Sequence, residues 1–139
     1  MAAYLSDITG AFDRVSRDLI LAKLYNAGIG TQYLNFLASY LQPRKGVVVV
    51  EGVASDEFEI ANQVFQGTVL GPPLWNTFFA DVVQPASALG GKPSVFADDL
   101  NVFQEFNRKA SNEECKEVMH KCRTKVHKWG KINLSLIHI

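Results

Sequence analysis

Three aspartates of this sequence stand where carboxylates are energetically costly, and their spacing suits metal chemistry. Asp7 follows a short strand-like segment and precedes a loop broken by glycine, whereas Asp98 and Asp99 lie side by side between two strand-like segments. Adjacent carboxylates repel each other, and burying them is costly unless a cation offsets the charge. Mg²⁺ does so well, because it takes oxygen ligands and is commonly held by one or two carboxylates with substrate phosphates. The alternative is an ordinary acidic turn, for which aspartate is a favoured residue.

The strands that must carry these acids are short. Strand character is expected over 4–8, and two further strands are expected over 92–97 and 100–106, with the reversal at Asp98 and Asp99. Successive strand residues point to opposite faces, so these two aspartates cannot both point at one spot from a regular strand. We expect one of them to be the stronger ligand, with the tight turn bringing the other nearer.

Four helices are predicted from capping residues and apolar spacing. Their expected starts are Ser16, Thr31, Pro72 and Ser111. The last start is strengthened by Glu114, which completes a capping box. The aromatic residues of the third helix are predicted to be core; they are Trp75, Phe78 and Phe79.

A β-hairpin is expected between the second and third helices. It would pair 47–50, which is β-branched throughout, with 57–60, which alternates polar and apolar residues, across a loop longer than two residues. The order is then strand, two helices, hairpin, helix, hairpin, helix. This order predicts an α+β fold with an antiparallel sheet.

Composition and charge exclude several classes of protein. The 139 residues are 47% hydrophobic and 20% charged, which is typical of one globular domain and not of a disordered chain. No segment is apolar enough to span a bilayer and no signal peptide is recognisable, so we expect an intracellular protein of the nucleus or cytoplasm, not a secreted one. Residues 108–131 hold eight basic and three acidic side chains within a chain of zero net charge. Such a segment suits a polyanion-binding face, with an ordinary solvated surface as the alternative.

Three short motifs, in order, resemble the palm domain of reverse transcriptases. Residues 7–13 read Asp-Ile-Thr-Gly-Ala-Phe-Asp, residues 66–72 read Gln-Gly-Thr-Val-Leu-Gly-Pro, and residues 96–99 read Phe-Ala-Asp-Asp. Each motif is weak alone, but their order and their expected strand, helix and hairpin contexts make the resemblance strong. It extends from about Leu5 to Trp129 and is of the non-LTR retrotransposon type, which Phe96 in place of tyrosine fits. The fold it implies is a palm-like antiparallel sheet with helices packed on one face.

The resemblance implies RNA-directed DNA synthesis from dNTPs, on an RNA template and a DNA primer, with two Mg²⁺ ions (Mn²⁺ being the alternative ion). By carry-over from the family, Asp7 and Asp98 bind the metals and Asp99 supports the site less directly. The backbone carbonyl of Ile8 would be a further metal ligand.

The same resemblance assigns substrate contacts to three other residues. Phe12 would pack under the sugar of the incoming nucleotide and exclude a 2′-hydroxyl, with a plain core phenylalanine as the alternative. Gln66 and Gly67 would lie against the nascent pair and the template, because glycine allows close backbone approach. Their alternative is a simple helix-entry turn, and both interpretations can hold together.

The sequence also departs from the family's pattern. Gly71 and Pro73 replace residues that are more often serine and leucine, and we expect the change to affect loop stiffness. We expect a partial palm domain over 1–133 and a tail over 134–139 that does not match the family. Only six residues precede Asp7, so the basic fingers segment that holds the triphosphate is expected to be missing and this chain alone to be inactive.

Two other functions stay open at this point. One is a catalytically inactive, nucleic-acid-binding remnant of such a domain. The other is an aspartate-phosphorylation receiver, which also gathers acids at strand ends but requires parallel strands alternating with helices.

Overall fold

The computed structural model describes residues 1–134, in which short strands and five α-helices follow one another. The strands are β1 (Ala2–Ser6), β2 (Arg44–Gly46), β3 (Val49–Val50), β4 (Val53–Ala54), β5 (Phe58–Ile60), β6 (Lys92–Phe96) and β7 (Asp99–Gln104). The helices are α1 (Arg17–Asn26), α2 (Thr31–Tyr40), α3 (Gly71–Phe79), α4 (Val83–Ser87) and α5 (Asn112–Asn133). Short 3-10 turns cover Phe12–Arg14 and Ala80–Val82.

A three-stranded antiparallel sheet joins the first and last motifs. Its strand order is β1-β7-β6, with Ser6 paired to Leu100 and Phe96 paired to Asp99. Every strand pair in residues 1–134 is antiparallel. The α+β prediction is confirmed, and the pairing excludes the parallel sheet that a receiver domain requires.

The helices cover one face of this sheet and leave the other open. Leu100 and Val102 of β7 point inward and are fully buried, whereas Leu5 of β1 is 72% exposed on the opposite face. The aromatic residues of α3 and Trp129 of α5 complete the core on the covered side. This arrangement follows from the alternation of side chains along a strand, which gives an antiparallel sheet one apolar and one solvated face.

Local capping signals correctly predicted the N-cap residues of two helices. Ser16 caps α1, its hydroxyl accepting from the backbone N–H of Leu19 at 3.5 Å. Ser111 and Glu114 form the expected capping box of α5, with bonds of 3.2 and 2.7 Å. Thr31, expected to cap α2, is instead its first residue, and Gly30 occupies the cap without a side-chain bond.

The ribbon between α2 and α3 pairs differently from the prediction. Strand β2 pairs with β5 and β3 pairs with β4, so 47–50 does not pair with 57–60 and that expectation was wrong. The reversal lies at Glu51 and Gly52, whose φ angles are 51° and 83°. A two-residue turn with positive φ matches the twist of the flanking strands, which is why the inner strands close tightly.

A polar network at the edge of the apolar core connects α1, α3 with the 3-10 turn that follows it, and α5. Lys23 of α1 donates to the carbonyl of Phe78 at 2.8 Å and to Asp81 Oδ1 at 2.9 Å, and Trp129 Nε1 donates to the same oxygen at 2.8 Å. Burial lowers the pKa of Lys23, an effect that the hydrogen bond and charge of Asp81 oppose. Within residues 1–134, no helix combines the length and apolarity that crossing a bilayer requires.

Replacing Asp81 with asparagine should destabilise the fold by about 1–2 kcal/mol, because a half-buried ammonium then lacks its counter-ion. The value is kept low because the Asp81 side chain is itself 42% exposed. Urea denaturation followed by circular dichroism measures the change. The matched control is Asp18→Asn, since Asp18 is 91% exposed and pairs with Arg17 only at 3.7 Å; it should cost less than about 0.5 kcal/mol. Equal losses in the two variants would contradict the role of the network.

Candidate active site

The register of the sheet brings the first and third motifs to the same end. Ser6 and Leu100 are the last paired residues of β1 and β7, so one further step along both chains places Asp7 opposite Asp99. Residues opposite one another in an antiparallel ladder share a face. Asp7 and Asp99 are both exposed, in contrast to the inward-pointing Leu100. Both residues therefore lie at the same end of the sheet, where they are accessible to solvent.

Asp98 occupies the turn that joins β6 to β7. The pair Phe96–Asp99 closes a two-residue turn formed by Ala97 and Asp98. Ala97 has a φ of 52°, a left-handed conformation that non-glycine residues seldom adopt. Asp98 is half-buried, and the turn holds it beside Asp99. All three predicted acids thus come to one end of the sheet.

Trp75 of α3 connects the elements that carry all three motifs. Its indole Nε1 donates to the carbonyl of Ala97 at 2.8 Å. Its ring stacks on Phe12 at 5.6 Å between centroids and on Phe79 at 5.0 Å. From the sequence Trp75 was predicted only as a core residue. The signal that could have revealed more is the indole N–H, which requires a partner when the ring is buried.

Phe12 and the glutamine-glycine loop are held next to each other. Phe12 is half-buried against Trp75, and its carbonyl accepts from the backbone N–H of Val64 at 2.8 Å. Gln66 and Gly67 follow two residues later and are exposed, with Gly67 at a φ of 74°. The structure therefore brings the predicted substrate-contacting residues onto linked loops. Their roles toward a nucleotide stay predictions.

A hydroxyl network gives that loop its shape. Thr68 Oγ1 donates to the carbonyl of Phe65 at 2.7 Å, accepts from the hydroxyl of Tyr40 at 2.9 Å and accepts from the N–H of Gly71 at 3.2 Å. Gly71 is buried, and a Cβ there would lie 2.8 Å from the carbonyl oxygen of Phe65. The glycine is thus required by close packing as the chain enters α3.

The basic segment predicted from the charge pattern reaches the acidic end of the sheet. A cavity of about 370 Å³ lies between β1 and α5, and Asp7, Ile8, His127 and Lys131 are among its lining residues. His127 and Lys131 come from the 108–131 segment. Residues from the two ends of the chain therefore line one cavity together with Asp7.

The three acids suit a magnesium site in chemical type. Carboxylates and a backbone carbonyl are hard oxygen donors, and Mg²⁺ needs only one or two carboxylates when substrate phosphates complete its coordination. Asp7, Asp98 and Asp99 form no ion pair with another described residue. Within residues 1–134, no three carboxylate, imidazole or thiolate side chains converge into a metal-binding group. The metal-binding roles of Asp7, Ile8, Asp98 and Asp99 therefore stay predictions.

The register and the resemblance rank the two hairpin acids differently. Continuing the register by one residue puts Asp99 opposite Asp7, whereas the resemblance assigns the stronger ligand role to Asp98. Trp75 supports the backbone next to Asp98, because it donates a hydrogen bond to the carbonyl of the preceding residue, Ala97. Substitution of each acid separately decides between the two assignments.

Comparison with known proteins identifies the family. Residues 3–135 match the family described as "Reverse transcriptase (RNA-dependent DNA polymerase)". The chain belongs to the reverse transcriptase family.

Relatives from mobile elements support the same assignment. The "Probable RNA-directed DNA polymerase from transposon X-element" of Drosophila melanogaster is 38% identical over 98 residues, which cover 69% of this chain and 11% of the relative. The "RNA-directed DNA polymerase from mobile element jockey" of Drosophila funebris is 33% identical over 102 residues, or 70% of this chain and 11% of the relative. The "Retrovirus-related Pol polyprotein from type-1 retrotransposable element R2" of Popillia japonica is 30% identical over 109 residues, or 71% and 18%.

These relatives confirm the expected reverse transcriptase of non-LTR type. The chain matches less than a fifth of the length of each of them. The family model begins at residue 3 and ends at residue 135, so the proposed tail over 134–139 is not tested by the match. Residues 135–139 of that tail lie outside the described part of the chain.

Replacing Gly71 with alanine should destabilise the fold by about 1–3 kcal/mol, because the new Cβ would press on the carbonyl of Phe65. The matched control is Gly130→Ala in the interior of α5, where the nearest atom to a new Cβ is Leu134 Cδ1 at 3.9 Å. That substitution should stabilise the fold by about 0.5–1 kcal/mol, because alanine has the higher helix propensity. Thermal and urea unfolding give both values. Shifts of the same sign would contradict the packing argument.

Proposed function

We propose that this chain is the catalytic palm of an RNA-directed DNA polymerase, which extends a DNA primer on an RNA template from dNTPs. The observation that supports this most is the register of β1, β7 and β6, which gathers Asp7, Asp98 and Asp99 at one end of the sheet. Phe12 and the 66–67 loop are connected to the same end through Trp75 and Val64. The family assignment and its retrotransposon relatives agree with the proposal.

The proposed chemistry is nucleotidyl transfer at a two-metal aspartate site. Asp7, Asp98 and the carbonyl of Ile8 would hold the ions, with Asp99 beside them. Bound Mg²⁺ supplies charge that stabilises the attacking and the leaving oxygen of an in-line displacement. The protein's own contribution is to fix these donors on rigid strand ends, since loss of orientation alone can cost several kcal/mol of barrier.

Two further residue groups would select and orient the substrates. Phe12 presents a half-buried aromatic side chain that is held by its stack on Trp75. It would contact the sugar of the incoming nucleotide and exclude a 2′-hydroxyl by steric conflict. Gly67, which has no side chain, would let the backbone approach the template closely, beside the amide of Gln66.

A second candidate function is a nucleic-acid-binding domain without catalysis. The segment 108–131, with eight basic and three acidic side chains, favours it because such a surface suits a polyanion. This candidate predicts template binding that does not depend on any of the three acids and no Mg²⁺-dependent extension. The catalytic proposal predicts that binding and extension separate when an acid is neutralised.

Asp98→Asn should reduce primer extension at least about a hundredfold while template binding survives, because a neutral amide is a poorer Mg²⁺ ligand. The assay uses a chimera in which residues 3–135 replace the matching segment of a relative's polymerase, since the chain matches less than a fifth of the length of each of these relatives. Gel-resolved extension is read beside a binding titration at fixed salt.

Asp99→Asn and Asp18→Asn complete that experiment. A smaller loss of primer extension for Asp99→Asn than for Asp98→Asn would support the family resemblance, which makes Asp98 the stronger ligand. The reverse order would support the strand register, which puts Asp99 opposite Asp7. Asp18 is exposed on α1, so its variant should extend normally. Undiminished extension by Asp98→Asn would remove the catalytic assignment.

Phe12→Ala in the same chimera should increase incorporation of NTPs relative to dNTPs and leave the Mg²⁺ dependence of extension unchanged. The reason is that the side chain acts on the sugar and contributes no metal donor. Phe36→Ala is the control, because Phe36 is an exposed aromatic residue of α2. Equal discrimination against NTPs in the Phe12 variant and the parent would refute the steric role.

A further inference from the structure

The turn that carries Asp98 is strained and is supported from one side. Ala97 has the left-handed backbone that usually requires glycine, at the first central position of a two-residue turn. Such a conformation persists where the surroundings fix it. Two contacts do so here: the Phe96–Asp99 pair that closes the turn, and the hydrogen bond from Trp75 Nε1 to the carbonyl of Ala97.

That hydrogen bond fixes more than one atom. The carbonyl of Ala97 and the N–H of Asp98 belong to one planar peptide unit, so orienting the carbonyl also orients the backbone of Asp98. Trp75 cannot easily follow a movement of the turn, because its ring is 1% exposed and lies against Phe12 and Phe79. The direction in which the Asp98 side chain leaves the turn is therefore set from α3.

We propose that Trp75 is a positioning residue with two separable actions. Its N–H orients the Asp98–Asp99 turn for a divalent cation, and its ring sets the position of Phe12. The inference rests on the proposed function, because it assumes that these acids hold the cation. It adds a residue outside the three motifs, and it links metal affinity and sugar selection through one side chain.

Trp75→Phe separates the two actions, since it removes the N–H and keeps an aromatic ring. The matched control is Trp129→Phe, which removes an equally short indole hydrogen bond, 2.8 Å to Asp81 Oδ1, from another buried tryptophan. Mn²⁺ binding to the 139-residue chain is titrated by electron paramagnetic resonance, with circular dichroism to verify folding. Trp75→Phe should weaken Mn²⁺ binding about tenfold, as lost support of a ligand does. Trp129→Phe should change it less than twofold.

The polymerase chimera supplies the second readout. Trp75→Phe should raise the Mg²⁺ concentration for half-maximal extension and leave NTP discrimination unchanged, which is the opposite pattern to Phe12→Ala. If Trp75→Phe does not fold, Ala97→Gly is added to it, because glycine adopts positive φ without strain. Mn²⁺ binding is then compared between the Ala97→Gly variant and the double variant that also carries Trp75→Phe. The double variant is expected to bind Mn²⁺ about tenfold more weakly.

The outcomes distinguish this inference from the proposed function. If Asp98→Asn abolishes Mn²⁺ binding but Trp75→Phe leaves it unchanged, the positioning role is overturned and the metal site stands. Equal weakening by Trp75→Phe and Trp129→Phe also overturns it, since loss of general stability would then explain both. If Asp98→Asn itself leaves Mn²⁺ binding intact, the metal assignment of the proposed function fails.

Discussion

The hydrogen bond from Trp75 to the carbonyl of Ala97 is the contact on which the arrangement of the site depends. The hydrophobic effect that buries α3 against the sheet is non-directional and would tolerate small rotations and slides of the helix. A hydrogen bond of 2.8 Å does not, because its strength falls steeply with distance and angle. The aromatic stack of Phe12 on Trp75 extends the same constraint to the loop after β1. Packing thus supplies the stability, whereas the strand ladder and this indole hydrogen bond supply the geometry.

Packing and a directional hydrogen bond are also combined at Trp129 of α5. Trp129 packs edge-on against Phe79, and its N–H is fixed by Asp81, which also binds Lys23. The two tryptophans therefore hold opposite sides of one aromatic core, one toward the strand turn and one toward α1 and α5. Lys23 is kept within reach of this core by its position over the ring of Phe78, at 4.2 Å from the centroid. The helix α3 is therefore held by Trp75 at the strand turn and by the contacts of Phe78 and Phe79 with Trp129.

The features of the fold and the site that could be predicted from the sequence are those whose physical causes lie within a few residues of the chain. The caps at Ser16 and Ser111 act within four residues, and the sequence predicted both, as it predicted the α+β class and the family. The pairing of the 44–60 ribbon was mispredicted, because several valines in a row fit more than one register and the turn at Gly52 decides among them. The opposition of Asp7 to Asp99 and the role of Trp75 depend on contacts across 92 and 22 residues of sequence, which no local pattern specifies.

On the proposed function, the solvent exposure of Asp7 and Asp99 has a physical reason. Asp7 and Asp99 are exposed to water, whose high dielectric constant weakens the interaction between neighbouring charges. A primer, template and nucleotide arriving on that face would displace the water and make the uncompensated charges costly, so uptake of a cation becomes coupled to substrate binding. Mg²⁺ is well suited to this coupling, because it shares its coordination sphere between protein carboxylates and substrate phosphates. The three carboxylates therefore need not form a complete metal cage before the substrates bind. The fold must supply only the placement of the strand ends in advance. That placement depends on the pairing of β7 with β1 and β6 and on the hydrogen bond from Trp75 to the turn.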